Sequence, residues 1–231
     1  MHSLSANTII ARLNALASPA DAAGMARFGI CGAHVLGVSV KTLRDIAREI
    51  GRDHALAQQL WASGIHEARI LASIVDDPHH VDIAQMERWV TDFDSWDLCD
   101  QCCTNLFVRT PFARQTVLDW SARPEAFVRR AGLVLMAQVA AKDRHAPDDL
   151  FPRYLATIEA VVGDDRNVVK KAASWALRTI GQRSPALNAA AIAAAQRLRT
   201  ADSRAARWVG SDALRELSSA KVAKRLAGKS M

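Results

Sequence analysis

Tyrosine occurs once in this chain of 231 residues, glycine 11 times and proline 7 times, and aromatic residues make up only 6%. Sheets draw on aromatic and β-branched residues, and on glycine and proline in their turns. The scarcity argues against a β-rich fold, and no segment shows the two-residue alternation of a half-buried strand. Long apolar runs are missing too. The longest, such as residues 131–141, are too short to span a bilayer. No basic segment followed by an apolar one marks the beginning of the sequence, so no secretory signal is visible and a cytoplasmic location is expected. Cysteine is sparse, and three of the four crowd at 99, 102 and 103, which is not the spacing of a disulfide framework. A glycine-rich phosphate loop, a Ser-His-Asp signature and a dinucleotide fingerprint are all absent. No cofactor is expected.

What remains is an ordinary globular composition, 50% hydrophobic and 23% charged, with 30 Lys and Arg against 24 Asp and Glu. The net charge of +6 permits a polyanionic partner such as nucleic acid without demanding one. Helical periodicity runs through the chain. Val40, Leu43, Ile46, Ala47 and Ile50 share a face after Ser39, a suitable N-cap, and Gly51 can end that helix. Asp53 can cap the next, which carries Leu56, Leu60 and Trp61 and stops at Gly64. A third runs from about 65 to 77 and stops at Pro78. Further helices are predicted near 81–91, 95–109, 112–121, 124–141, 148–162, 165–181, 185–199 and 203–217. One or two weaker helices occupy the first 35 residues, and a short helix falls in the last dozen.

Helix after helix with short connections means a bundle or a solenoid. Internal similarity favours the solenoid. Arg129-Arg130-Ala131-Gly132, Lys170-Lys171-Ala172-Ala173 and Ala206-Arg207-Trp208-Val209 each put a basic residue at the start of a small-residue helix. Their offsets are 41 residues (130 to 171) and 36 (171 to 207). HEAT-type helix pairs repeat at roughly 40–47 residues. An all-α solenoid of antiparallel helix pairs is therefore expected, with a concave face lined by basic residues.

Few residues stand out chemically. Trp96 and Asp100 lie four apart, one turn along one helical face, and Asp97 sits in the first turn where an anion suits the dipole. Either Asp100 is a carboxylate presented beside an indole, or Trp96 is core and Asp100 a surface or network acid. Spacing alone favours the second. Trp175 falls with Lys171, Ser174 and Arg178 on the polar side of a helix whose apolar face is Val169, Ala172, Ala176 and Ile180. It is either a ligand contact or covered by a neighbouring helix. Arg130 shares a face with Val134 and Ala137, and suits a phosphate, a carboxylate or an ordinary ion pair. Cys99-x-x-Cys102-Cys103 lacks the second ligand pair of a structural zinc, Cys31 being far off, and Cys99 and Cys102 align with Leu106 as small core residues. His66-Glu67 lacks the second histidine of a zinc-protease helix. No metal is expected.

Several segments, in order, resemble the HEAT-like-repeat DNA alkylation repair glycosylases, the AlkD-type family. They are Gly37-Val38 with Leu43-Arg44; Leu60-Trp61 with His66-Glu67-Ala68-Arg69; Asp94-Ser95-Trp96-Asp97 with Asp100; Arg129-Arg130-Ala131; and Lys170-Lys171-Ala172 with Trp175-Ala176-Leu177-Arg178. The resemblance covers about 37–217 and implies a repair domain there, preceded by a helical segment of the same domain at 1–36 and followed by a basic tail at 218–231. It implies a monofunctional glycosylase that hydrolyses the N-glycosidic bond of cationic alkylated purines, of the 3-methyladenine and 7-methylguanine class, without deep base flipping. It carries the catalytic acid onto Asp100, the sugar-facing indoles onto Trp96 and Trp175, and the site arginine onto Arg130. Arg44, Lys170, Lys171, Arg178 and Arg207 would then hold the phosphates of double-stranded DNA. The Cys99–Cys103 cluster has no counterpart in that chemistry. Two alternatives stand beside it: a non-catalytic HEAT-repeat binder of damaged or unusual DNA, and a HEAT-type protein scaffold. A monomer is the simpler expectation.

Overall fold

The computed structural model describes residues 5–30 and 34–228. Among these the chain forms fourteen α-helices and one 3-10 turn, with no strand. The helices are α1 (Ala6–Ala15), α2 (Pro19–Ala26), α3 (Val40–Ile50), α4 (His54–Ala62), α5 (His66–Val75), α6 (Ile83–Thr91) and α7 (Trp96–Asn105), followed by α8 (Ala113–Ala122), α9 (Ala126–Lys142), α10 (Leu150–Val161), α11 (Asn167–Gly181), α12 (Pro185–Arg199), α13 (Arg204–Leu217) and α14 (Ala220–Ala227). No helix is long and apolar enough to cross a membrane.

Their starts follow from capping chemistry. Ser39 accepts from the Thr42 amide, Asp53 from Leu56, Ser184 from Leu187 and Ser203 from Ala206. Each satisfies an amide that the first helical turn leaves without a partner. Two ends differ from the periodicity. The segment expected as one helix over 95–109 stops at Asn105 and tightens into a 3-10 turn at Phe107–Arg109, where the Thr110 hydroxyl donates to the Phe107 carbonyl at 2.8 Å before Pro111. The helix expected to reach 77 stops at Val75, ahead of Pro78, and Arg52 donates to the carbonyls of Ile74 and Asp76 left there.

The chain divides into two compact units, Met1–Thr110 and Pro111–Met231. In the first, α3 packs on α5 and α5 on α7, with α4 against α5 and α1 against both α4 and α5. Its core joins Leu43, Ile46, Leu60, Leu71 and Leu98 to a face-to-face pair of indoles, Trp61 on Trp89, with centroids 3.8 Å apart. Each such fully buried side chain contributes about 1.5–3 kcal/mol. Arg69 lies over the Trp61 ring, and Asp92 accepts the Trp61 indole N–H at 2.8 Å.

In the second unit the helices form two rows. α9 packs on α11 and α11 on α13; α8 packs on α10 and α10 on α12; and α8–α9, α10–α11 and α12–α13 pair across the rows. This is the helix-pair repeat that the basic–small segments imply, since Arg130, Lys171 and Arg207 fall on the successive members of one row. Small residues let the rows close. A Cβ on Gly132 would stand 2.4 Å from the Ser121 hydroxyl and 2.5 Å from its amide, so α8 and α9 cross where only glycine fits.

Candidate functional site

α7 buries Asp97, Leu98, Cys99, Cys102 and Cys103. The face left over carries Trp96 and Asp100. Trp96 is 36% exposed and Asp100 half-buried. The core placement that spacing alone favours for Trp96 is thus corrected: the apolar face of α7 is complete without it. The indole is still held, because its N–H donates to the Phe28 carbonyl at 2.9 Å. Phe28 itself is 73% exposed. With Leu16, Met25, Ile30, Val38 and Trp96 it lines an open groove of about 810 Å³. The three clustered cysteines are buried, Cys99 and Cys102 as their helical spacing implies, and burial pushes the Cys102 thiol well above its ordinary range. Cys31 lies outside the described residues. No group of three or more His, Cys, Asp or Glu among the described residues is placed to hold a metal ion.

Two residues that the motif reading set aside fix this corner of the first unit. The His66 imidazole meets the Asp97 carboxylate at 2.9 Å, tying the first turn of α5 to the first turn of α7. Both groups are buried. Burial opposes charge on each, yet the pairing wins: the His66 pKa is raised and that of Asp97 lowered. Next to it, the fully buried Glu67 carboxylate accepts from the amides of Leu36 at 2.9 and 3.0 Å, Gly37 at 2.7 Å and Val38 at 3.3 Å. Gly37 has φ +81°, and a Cβ there would stand 2.4 Å from the Ser18 carbonyl. Glu67 therefore clamps a loop whose close approach to the start of α2 only glycine permits. The adjacent His-Glu pair in a first helical turn was visible in the sequence, but its partners lie about thirty residues away in either direction.

The second unit holds the other expected site residues. Arg129 pairs with Asp164 at 2.7 Å, and Arg166, more than Arg129, holds that carboxyl down to about 2. Arg130 is only 6% exposed and donates to the Val168 carbonyl at 2.5 Å, at the start of α11. Trp175 is half-buried at the wall of a cleft of about 500 Å³, which also takes in Arg178, Gln182, Arg183, Glu216 and Arg225. Ser174, on the polar side by spacing, is buried and donates to Asp212 at 2.6 Å.

The five expected phosphate-binding residues differ in availability. Arg44 and Lys171 are exposed and have no hydrogen-bond or ion-pair partner among the described residues. Lys170 lies over the Trp208 ring, 5.4 Å from its centroid. Arg207 donates to the carbonyls of Ala201 and Asp202 at 2.9 and 2.6 Å. Arg178 is engaged by Glu216 and Asp212.

Residues 9–217 match the family described as DNA alkylation repair enzyme. A solved structure covering 93% of this chain and 96% of its own superposes with a TM-score of 0.77 at 19% identity. That protein represents a family related to the HEAT-like repeat DNA glycosylases, with affinity for branched DNA structures. The shared fold is the HEAT-like one. No curated protein sequence matches the chain.

Proposed function

The chain belongs to the DNA alkylation repair enzyme family, and from that premise we propose that it is a monofunctional glycosylase acting on cationic alkylated purines in double-stranded DNA. The observation that carries the reading is Trp96. A large indole is left open to solvent, held by its N–H, one turn before a carboxylate, on the helical face that the core does not use.

The chemistry explains why so little machinery suffices. A purine alkylated at N3 or N7 already carries positive charge and leaves readily. The remaining barrier is the oxocarbenium-like sugar that develops as the C1′–N bond breaks. The Asp100 carboxylate would stabilise that cation and orient the water that attacks C1′, whose proton is then released. Trp96 would pack on the deoxyribose, its π face favouring the developing charge. Trp175 is a second indole available to DNA in its own unit. Arg130, buried against α11, would act by positioning rather than by meeting a phosphate. Arg44 and Lys171, exposed and without a partner among the described residues, would do that, and Lys170, Arg207 and Arg178 would add to the field. No deep pocket for an extruded base is required by this scheme.

The test is release of free 3-methyladenine and 7-methylguanine from methylated duplex DNA. The wild type should release base; Asp100→Asn should bind the same DNA within about twofold and lose release by about a hundredfold or more, the scale of removing one electrostatic contact to the transition state. No release by the wild type, with DNA binding intact, would favour a second reading, a non-catalytic binder of unusual DNA structures. The branched-DNA affinity of the structurally similar family supports that reading.

A further inference from the structure

A second indole is exposed, on α13. The helix buries Ala205, Ala206, Val209, Gly210, Ala213 and Leu217. Trp208 lies off that face and is 39% exposed. Leaving such a ring in water forgoes the stabilisation that burial would give, and its environment is specific. The Lys170 ammonium sits over the ring, 5.4 Å from the centroid, which orients the indole and places positive charge against one of its faces. Lys171, next in sequence, and Arg204, one turn before Trp208, are exposed and have no partner among the described residues. Arg207 fastens the turn before α13 through the carbonyls of Ala201 and Asp202. Asp212, one turn after Trp208 on the same helix, is committed to Ser174, Arg178 and Arg215.

We propose that Trp208, with Lys170, Lys171 and Arg204, forms a stacking platform for an unpaired nucleotide of DNA. Cations alone would serve any polyanion, including an acidic peptide or the outside of a duplex. The indole narrows the choice. Bases inside a duplex have both faces stacked and offer an aromatic side chain nothing to lie on. A base at a gap, an overhang or a strand junction has a free face, and the phosphates on either side of it meet the lysines and the arginine. The platform thus assigns this surface to disrupted DNA, apart from any chemistry at Asp100. It rests on the reading that the chain holds DNA, but not on base excision.

The test uses unmodified DNA: a fully paired duplex, and the same duplex with a single-stranded overhang. Affinities are measured by fluorescence anisotropy for the full chain and for Trp208→Ala, Trp208→Phe and Lys171→Ala. The wild type should prefer the overhang. Trp208→Ala should weaken overhang binding about tenfold, the scale of one base–aromatic stack, and paired-duplex binding by less than about twofold. Trp208→Phe should keep most of the preference, and Lys171→Ala should weaken both DNAs alike. Thermal unfolding of Trp208→Ala at the wild-type temperature would exclude a folding defect. Equal loss on both DNAs, or none on either, overturns the platform. Failure of the wild type to release alkylated base would leave the overhang preference standing, so the two readings fail separately; failure to bind any DNA overturns both.

Discussion

Asp97 faces His66 inside the protein and favours its charged form, and this makes stability depend on pH in a defined way. Burial disfavours the imidazolium, but the hydrogen bond it donates to Asp97 and the charges of Asp97, Glu67 and Asp94 outweigh it, so the pKa is raised above 6.5. Asp97 is also disfavoured by burial, but His66 holds its pKa below 3.8. The histidine's contribution is complete below 6.5 and is lost as pH rises through the raised value. The carboxylate's contribution is present above 3.8 and is lost as pH falls through the lowered one. The pair therefore stabilises between the two shifted values. His66→Gln should cost about 3 kcal/mol, the scale of leaving one partner of a buried pair unmatched. It should also remove the part of the alkaline decline in melting temperature that belongs to His66. Melting curves across pH for both proteins would check this; an unchanged alkaline limb in the variant would acquit His66. Because the pair anchors the turn that presents Trp96, base release should fall with it.

At the scale of elements, the close crossings are the sensitive points. Gly132→Ala puts a methyl where the Ser121 hydroxyl and amide already stand, on two helices that cannot both yield. A loss of about 1–3 kcal/mol is expected, read from the midpoint of urea unfolding. Gly132→Val should cost more, and a variant as stable as the wild type would mean that α8 and α9 slide apart freely. Helix positions were largely legible in the sequence because their signals are local: Ser39, Asp53, Ser184 and Ser203 cap, and Gly51, Gly64, Pro78 and Pro124 interrupt. Pairing across the chain was not. Periodicity set Arg178 on a polar face, but only the fold supplies Glu216, 38 residues on, to occupy it. It set Trp96 one turn from Asp100, but not which side of α7 the core would take. His66-Glu67 read as half a metal motif because nothing local shows Asp97 or the amides of Leu36, Gly37 and Val38.

For the whole molecule, the excess of +6 is modest, so its distribution matters more than its size. Binding held by phosphate contacts should weaken steeply with salt, and each contact removed should reduce the slope of log Kd against log salt by roughly one. Arg44→Ala and Lys171→Ala should each do so, whereas Arg178→Ala, already engaged by Glu216, should change the slope least. Titrations at several salt concentrations would separate them, and three equal effects would refute the ranking. The helix bearing Asp100 has one more property of consequence. Its three thiols, at 99, 102 and 103, lie in the core, and Cys102 is held protonated. Methylating agents attack thiolates readily, and a protein that repaired alkylated DNA would meet the same reagents. Sequestered sulfur makes α7 a poor target for the very electrophiles whose damage it would repair, and the native chain should consume thiol reagent at these positions only as fast as it unfolds.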